Sequence, residues 1–191
     1  MKTFNKILLY ICTALAIALF FAVLARAVLY SPSADLTVPS SYDAQVSTTD
    51  YPVHIAIPRI GVDAAVQKIG ITASGKMAVP TNYTDVGWYK YGTVPGEPGA
   101  AVLAGHVDNG FALPGVFKNL NQLKTGDDIY LTMDNGTVLH FVMQSSKAYS
   151  KDATTEDIFN EKNGTVLRLI TCTGSWLPDQ QTHDQRLVLT A

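Results

Sequence analysis

The sequence predicts an all-β domain, a closed barrel with short helices, carried behind an N-terminal transmembrane helix. Three observations predict it. From Tyr51 onward, short runs with β-branched residues are broken by Gly, Pro, Asn and Asp, the spacing of a barrel or sandwich. Asn135-Gly136 falls between two such runs, where a tight hairpin turn requires positive φ values. Ahead of the domain, Ile7 to Leu24 is apolar and carries no charge.

A chain of 191 residues accommodates one globular domain and an appendage. The hydrophobic share of 47% is high, and much of the excess lies at the N-terminus. As a helix, the apolar stretch would be about 27 Å long, close to the roughly 30 Å hydrocarbon core of a bilayer. Lys2 and Lys6 precede it; Arg26, then Asp35, Asp43 and Asp50, follow. The positive-inside bias places residues 1–6 in the cytoplasm, a span at 7–25, and the rest outside the cell membrane. Ala25-Arg26-Ala27 has the small-x-small form of a signal cleavage site. The apolar stretch, however, exceeds the 7–15 residues of a signal core, which favours an uncleaved anchor. Cys12 lies inside the stretch and reads as a membrane filler residue. Residues 26–50 form an extracytoplasmic linker, and its Ser31–Asp50 portion, rich in Ser, Thr, Pro and Asp, reads as a tether.

The domain, 51–191, then resolves into strands. His54 to Ile57 is the first, stopped by Pro58, and Ala64 to Ile69 the second, ended by Gly70. Ala100 to Ala104 runs into His106. Ile129–Met133 and Thr137–Met143 flank Asp134-Asn135-Gly136 as a hairpin. Val166 to Thr171 ends at Cys172, and Arg186 opens the last strand, which ends at Thr190. Helical signal is sparse. Phe117 to Leu123 would form one or two turns with Leu120 and Leu123 facing the core, and Thr155 to Phe159 another short turn.

A net charge of -2 with scattered Lys and Arg argues against a nucleic-acid binder. The domain holds one of the chain's two cysteines, so it has no internal disulfide and no Cys-rich zinc site. A lone thiol outside the membrane is exposed to oxidation, which makes Cys172 a residue to explain. His106, Cys172 and Arg186 all fall at predicted strand ends, which one rim of a barrel would bring together. Their chemistry is complementary. A thiolate is the nucleophile of cysteine, an imidazole takes and returns the proton, and a permanently charged guanidinium steadies an oxyanion or orients a substrate backbone. Each type alone has a plainer role: buried packing for the cysteine, a structural part for the histidine, a surface charge for the arginine. His54, His140 and His183 compete with His106; His140 reads as a sheet residue, while His183 lies in a loop beside Arg186 and would line the site.

The surrounding residues sharpen the reading. Val86-Gly87-Trp88-Tyr89, Pro95-Gly96-Glu97-Pro98-Gly99 and Ala104-Gly105-His106-Val107-Asp108 resemble the histidine region of sortases. Leu169-Ile170-Thr171-Cys172-Thr173 resembles their nucleophile motif, and Asp184-Gln185-Arg186-Leu187-Val188-Leu189 their arginine strand. The resemblance covers roughly Tyr51 to Ala191. The wording around His106 and the short loop before Arg186 are most similar to class F sortases. Thr173-Gly174-Ser175-Trp176 departs from the Gly-Gly or Pro-containing versions of the family.

The resemblance implies an eight-stranded barrel and a two-step acyl transfer without a cofactor. Cys172 would attack the Thr-Gly bond of an LPxTG-like sorting signal on a secreted protein, and an amine of a cell-wall precursor or a pilin lysine would resolve the thioacyl enzyme. It also implies a general acid/base role for His106, oxyanion or signal binding for Arg186, and a supporting hydrogen bond from Thr171. Asp108 would orient the loop or imidazole, or serve only as a turn residue before Asn109-Gly110. The acids Asp152, Glu156, Asp157 and Glu161 alternate with Lys151 and Lys162, so that segment reads as a solvated loop and no metal is expected. Two rivals stay open: a secreted cysteine peptidase that only hydrolyses, and a non-enzymatic, membrane-tethered β-barrel binding module. Papain-like enzymes fit poorly because their cysteine precedes the histidine. L,D-transpeptidases place their histidine just before the cysteine, unlike His106 and Cys172.

Overall fold

The structure, a computed structural model, describes residues 2–29, 50–109, 113–154, 156–161 and 164–191. The chain divides into two units, residues 1–30 and 31–191. The first is a single helix, α1 (Lys2–Leu29), which continues past the expected end of the span at Ala25. Its window Leu9–Arg26 is long and apolar enough to cross a membrane. Apolar side chains around the whole circumference, from Leu9 to Leu24, are exposed, as a lipid-facing helix requires and a packed surface helix does not. The Thr13 hydroxyl is absorbed within the helix, donating to the Tyr10 carbonyl at 2.9 Å. The expected tether, apart from Asp50, lies outside the described residues, as do Gly110, Thr155 and Lys162.

The second unit contains nine strands: β1 (Pro52–Ile57), β2 (Val62–Ile69), β3 (Val86–Tyr89), β4 (Gly99–Ala104), β5 (Asp128–Met133), β6 (Val138–Val142), β7 (Ser145–Ser150), β8 (Thr165–Leu177) and β9 (Thr182–Thr190). They form one sheet in the order β6-β5-β1-β2-β3-β4-β8-β9-β7. The β2–β3 and β4–β8 pairs are parallel and the others antiparallel. β6 and β7 occupy opposite ends of this order although only Met143 and Gln144 separate them in the chain. So short a connection forces the sheet to curl, since each residue spans at most about 3.6 Å. Among the described residues no ladder joins β6 to β7, so the expected closed, eight-stranded barrel is instead a curled sheet of nine. Two strands were not placed from the sequence: β3, only four residues long, and β7, whose polar, largely exposed SSKAYS segment carries no apolar alternation to announce it.

Inward alternation builds the core. Ile129, Leu131 and Met133 point inward from β5, and Leu167, Leu169 and Thr171 from β8. Ile129, Leu131, Leu167 and Leu169 meet Ile55, Trp88, Leu103 and Leu189 around a fully buried Phe117. Leu120 and Leu123 are buried as their spacing predicts, on a single 3-10 turn, Leu120–Gln122. The short turn near Phe159 is a one-turn helix, α2 (Glu156–Phe159).

Two local expectations are corrected. Only Gly136 in the hairpin loop has positive φ, +83°; Asn135 does not. Gly136 N–H donates to Met133 O at 3.0 Å and Met133 N–H to Thr137 O at 2.8 Å, a three-residue loop ending in a left-handed glycine. Asn135 acts through its side chain, whose oxygen accepts from Thr137 N–H at 2.8 Å. The second correction concerns the site. β8 does not end at Cys172 but runs on to Leu177, and β9 begins at Thr182 rather than Arg186. A bulge between Thr173 and Trp176, where Gly174 takes φ +83°, lets pairing resume beyond it.

Candidate active site

Pairing of β8 with its two neighbours brings the predicted residues together. In the antiparallel β8–β9 ladder, Cys172 sits directly opposite Arg186. On the other side, parallel β4 follows β8 as far as Ala104 opposite Ile170, and Gly105 N–H then donates to Ile170 O at 3.0 Å. The next residue is His106. The buried Thr171 hydroxyl donates to Gly105 O at 2.8 Å, tying the residue before the cysteine to the residue before the histidine. His106, Asp108, Thr171, Cys172, His183 and Arg186 all line one open groove of about 1190 Å³.

Cys172 and Arg186 therefore lie within strands, Arg186 paired on both sides and Cys172 on the β9 side, and only His106 lies just beyond a strand end. The two Arg186 Nη atoms are braced along its own strand. Nη1 donates to the carbonyls of His183 and Gln185, each at 2.9 Å, and Nη2 donates to Thr182 Oγ1 at 3.0 Å. Beside it, His183 Nε2 stands 3.8 Å from Asp108 Oδ2. The Trp176 indole meets the His183 ring edge-on at 5.2 Å.

Burial pushes the Cys172 thiol above its usual range; the Arg186 charge opposes this, the Asp108 charge adds to it, and a Thr182 hydrogen bond opposes it. Burial pushes the His106 imidazole below its usual value, against a Pro80 hydrogen bond and the Asp108 charge. Both shifts favour a neutral thiol and a neutral imidazole in this groove near pH 7. Such a pair moves a proton as the sulfur attacks rather than beforehand. Among the described residues no three His, Cys, Asp or Glu side chains gather closely enough to hold a metal ion.

The comparison that decides the family is a match of the sortase domain model to residues 55–191. The chain belongs to the sortase family. Among solved structures, this sortase is similar to sortase C-1 from Actinomyces oris, with a TM-score of 0.60 and 24% identity over 85% of this chain and 88% of that one. It is also similar to sortase C1 of GBS pilus island 1, at TM-score 0.53 and 22% identity, and to the Streptococcus agalactiae sortase C1 complex with MTSET, at 0.54 and 23%. The alignments with those two take in 72% of this chain each, and only 61% and 64% of theirs. At these identities the likeness is one of fold. No curated protein matches the sequence.

Sequence reasoning missed three contributors to this geometry: Thr182, Pro80 and Tyr83. Thr182 reaches both the thiol and the guanidinium. Pro80 acts through its carbonyl and Tyr83 through ring packing on His106. None has a side-chain type or spacing that signals the role.

Proposed function

We propose that this sortase-family chain is a membrane-anchored cysteine transpeptidase with Cys172 as nucleophile. The observation that carries the reading is that Cys172, directly opposite Arg186, lines a single groove with His106, which follows the strand paired to β8 on its other side. In the first step the Cys172 thiol gives its proton to His106 as sulfur attacks the Thr carbonyl of an LPxTG-like signal. The oxyanion forms beside Arg186, whose braced guanidinium stabilises it or holds the signal. The C–N bond to Gly then breaks, and the departing amine takes the proton from His106. An incoming amine, from a cell-wall peptide or a pilin lysine, attacks the thioacyl carbon and gives a proton to His106, which passes it to the Cys172 sulfur as the C–S bond breaks. Thr171 supports this geometry by fixing Gly105. Asp108 and His183, close to one another on the groove wall, shape its charge.

The helix α1 suits an anchor spanning 7–25, with residues 1–6 cytoplasmic, linker 26–50, and the catalytic domain 51–191 outside. Within the family, the residues around His106 and the short loop before Arg186 favour class F; the similar solved structures are sortase C proteins, three of them named for pili or a pilus island. The test is cleavage of a panel of LPxTG-type peptides, with and without glycine or lysine acceptors, read by mass spectrometry. New amide product supports transfer. Free acid alone in the presence of amine makes the chain a hydrolytic peptidase. No cleavage, together with a thiol that labels only after unfolding, makes it a binding module.

A further inference from the structure

His106 has a holder that neither the family match nor the motifs assign. Its Nε2 lies 3.2 Å from the Pro80 carbonyl oxygen. A carbonyl has no proton to give, so the hydrogen of that bond is on Nε2. A neutral imidazole that carries its proton on Nε2 keeps its basic lone pair on Nδ1. The Tyr83 ring packs against the same imidazole at 4.7 Å, tilted by 51°. Two contacts from one short turn thus fix the ring's position and its tautomer together.

That turn is itself braced. Gln67, near the end of β2, accepts with its Oε1 from Thr81 N–H at 3.1 Å and from the Thr81 hydroxyl at 3.0 Å. The Gln67 Nε2 donates to Asp85 Oδ2 at 2.8 Å, and Asn82 Nδ2 donates to the same oxygen at 2.8 Å. Asn82 Oδ1 in turn accepts from Asp85 N–H at 2.7 Å. Tyr83 O accepts from Val116 N–H at 2.8 Å, so the far side of the turn is also held. Pro80 itself is buried. The loop from β2 to β3 is thus held by side-chain bonds on the same turn that contacts the histidine.

We propose that the Pro80–Asp85 turn is a positioning clamp for His106, keeping the proton on Nε2 so that Nδ1 is the nitrogen that exchanges protons with Cys172 and the two amines. Tyr83, Gln67 and Asp85 are positioning residues that act through His106. The clamp deepens the transpeptidase reading and rests on His106 being its acid/base.

The experiment uses the full chain in detergent micelles, labelled with 15N-histidine and measured by NMR above the histidine titration range. His106→Gln assigns the signal. The expected pattern is a protonated Nε2 and an unprotonated Nδ1 for His106. Asp85→Ala should blur it toward a mixture of tautomers and lower kcat for peptide cleavage about ten- to a hundredfold with little change in KM. Asp85→Asn, which keeps an acceptor for Gln67 and Asn82, should restore the spectrum, and Tyr83→Phe should retain it. A proton on Nδ1 in the unaltered chain overturns the clamp while leaving the catalytic reading intact. An Asp85→Ala spectrum identical to the original overturns it as well. A His106→Ala protein that still cleaves peptide overturns the acid/base reading and the Nδ1 role with it.

Discussion

Cys172 and His106 both carry pKa shifts away from their charged forms, so the pH dependence follows by sign. Burial raises the thiol above the usual value of about 8.5, and the imidazole falls below about 6.5. Alkylation of Cys172 by iodoacetamide should therefore be slower near pH 7 than that of a free cysteine, and should keep rising beyond pH 8.5. A plateau already reached at pH 7 would mean a resting thiolate instead. The same signs bear on stability. His106 folds with a lowered pKa, so its contribution is full above about pH 6.5 and is lost as pH falls through the folded value. Cys172→Ala should abolish cleavage while changing stability by about 1 kcal/mol or less, because a half-buried thiol is replaced by a methyl group. Arg186→Lys should cost about 10²–10³ in kcat/KM, because a single ammonium cannot reproduce a fork held by Thr182 Oγ1 and two carbonyls. At this scale the three candidates that line one groove, Cys172, His106 and Arg186, could be picked from the sequence, because thiol, imidazole and guanidinium declare their chemistry by type. Pro80 and Thr182 were not, since a carbonyl and a common hydroxyl look alike everywhere in a chain.

At the level of elements, the β8 bulge decides which face each following residue takes. Thr173 pairs with Gln185 and Trp176 with His183, so Gly174 and Ser175 together oppose Asp184. Asp184 Oδ1 accepts from Ser175 N–H at 2.8 Å and fills the space where a side chain on Gly174 would lie. Beyond the bulge Trp176 pairs with His183 and packs against its ring, and both line the groove that holds Cys172. Gly174→Ala meets both an unfavourable φ and the Asp184 carboxylate; it should cost about 1–3 kcal/mol. Thermal melts of Gly174→Ala, Asp184→Ala and the double variant should be non-additive, since removing the carboxylate removes the clash. Equal melting temperatures for Gly174→Ala and the parent would contradict this. The bulge explains why the sequence put the end of β8 at Cys172: Gly174-Ser175 reads as a strand terminator, and only the ladder to β9 shows that pairing resumes. β7 escaped for the opposite reason, its pairing to β9 having no inward apolar face to mark it.

For the molecule as a whole, residues 50–191 carry the local contacts that fasten the start of the sheet. Tyr51 N–H donates to Asp134 Oδ1 at 3.1 Å, and Asn135 Nδ2 donates to Asp50 Oδ1 at 2.7 Å. A protein lacking residues 1–49 should stay in the supernatant after ultracentrifugation, while the full chain should pellet with membranes and need detergent for release. Pelleting of the shortened form would count against α1 as the anchor. The all-β class was legible because inward alternation is a local pattern; strand count and closure were not, because they depend on which distant segments meet. The parallel β4–β8 ladder is the extreme case, joining Gly99–Ala104 to Thr165–Ile170. It also sets a timetable for a polypeptide emerging N-terminus first. Until Thr165–Ile170 is made, the histidine has no sulfur beside it, and until β9 follows, the sulfur has no guanidinium across from it. On the transpeptidase reading, cutting power is thus withheld from the nascent chain by strand order alone.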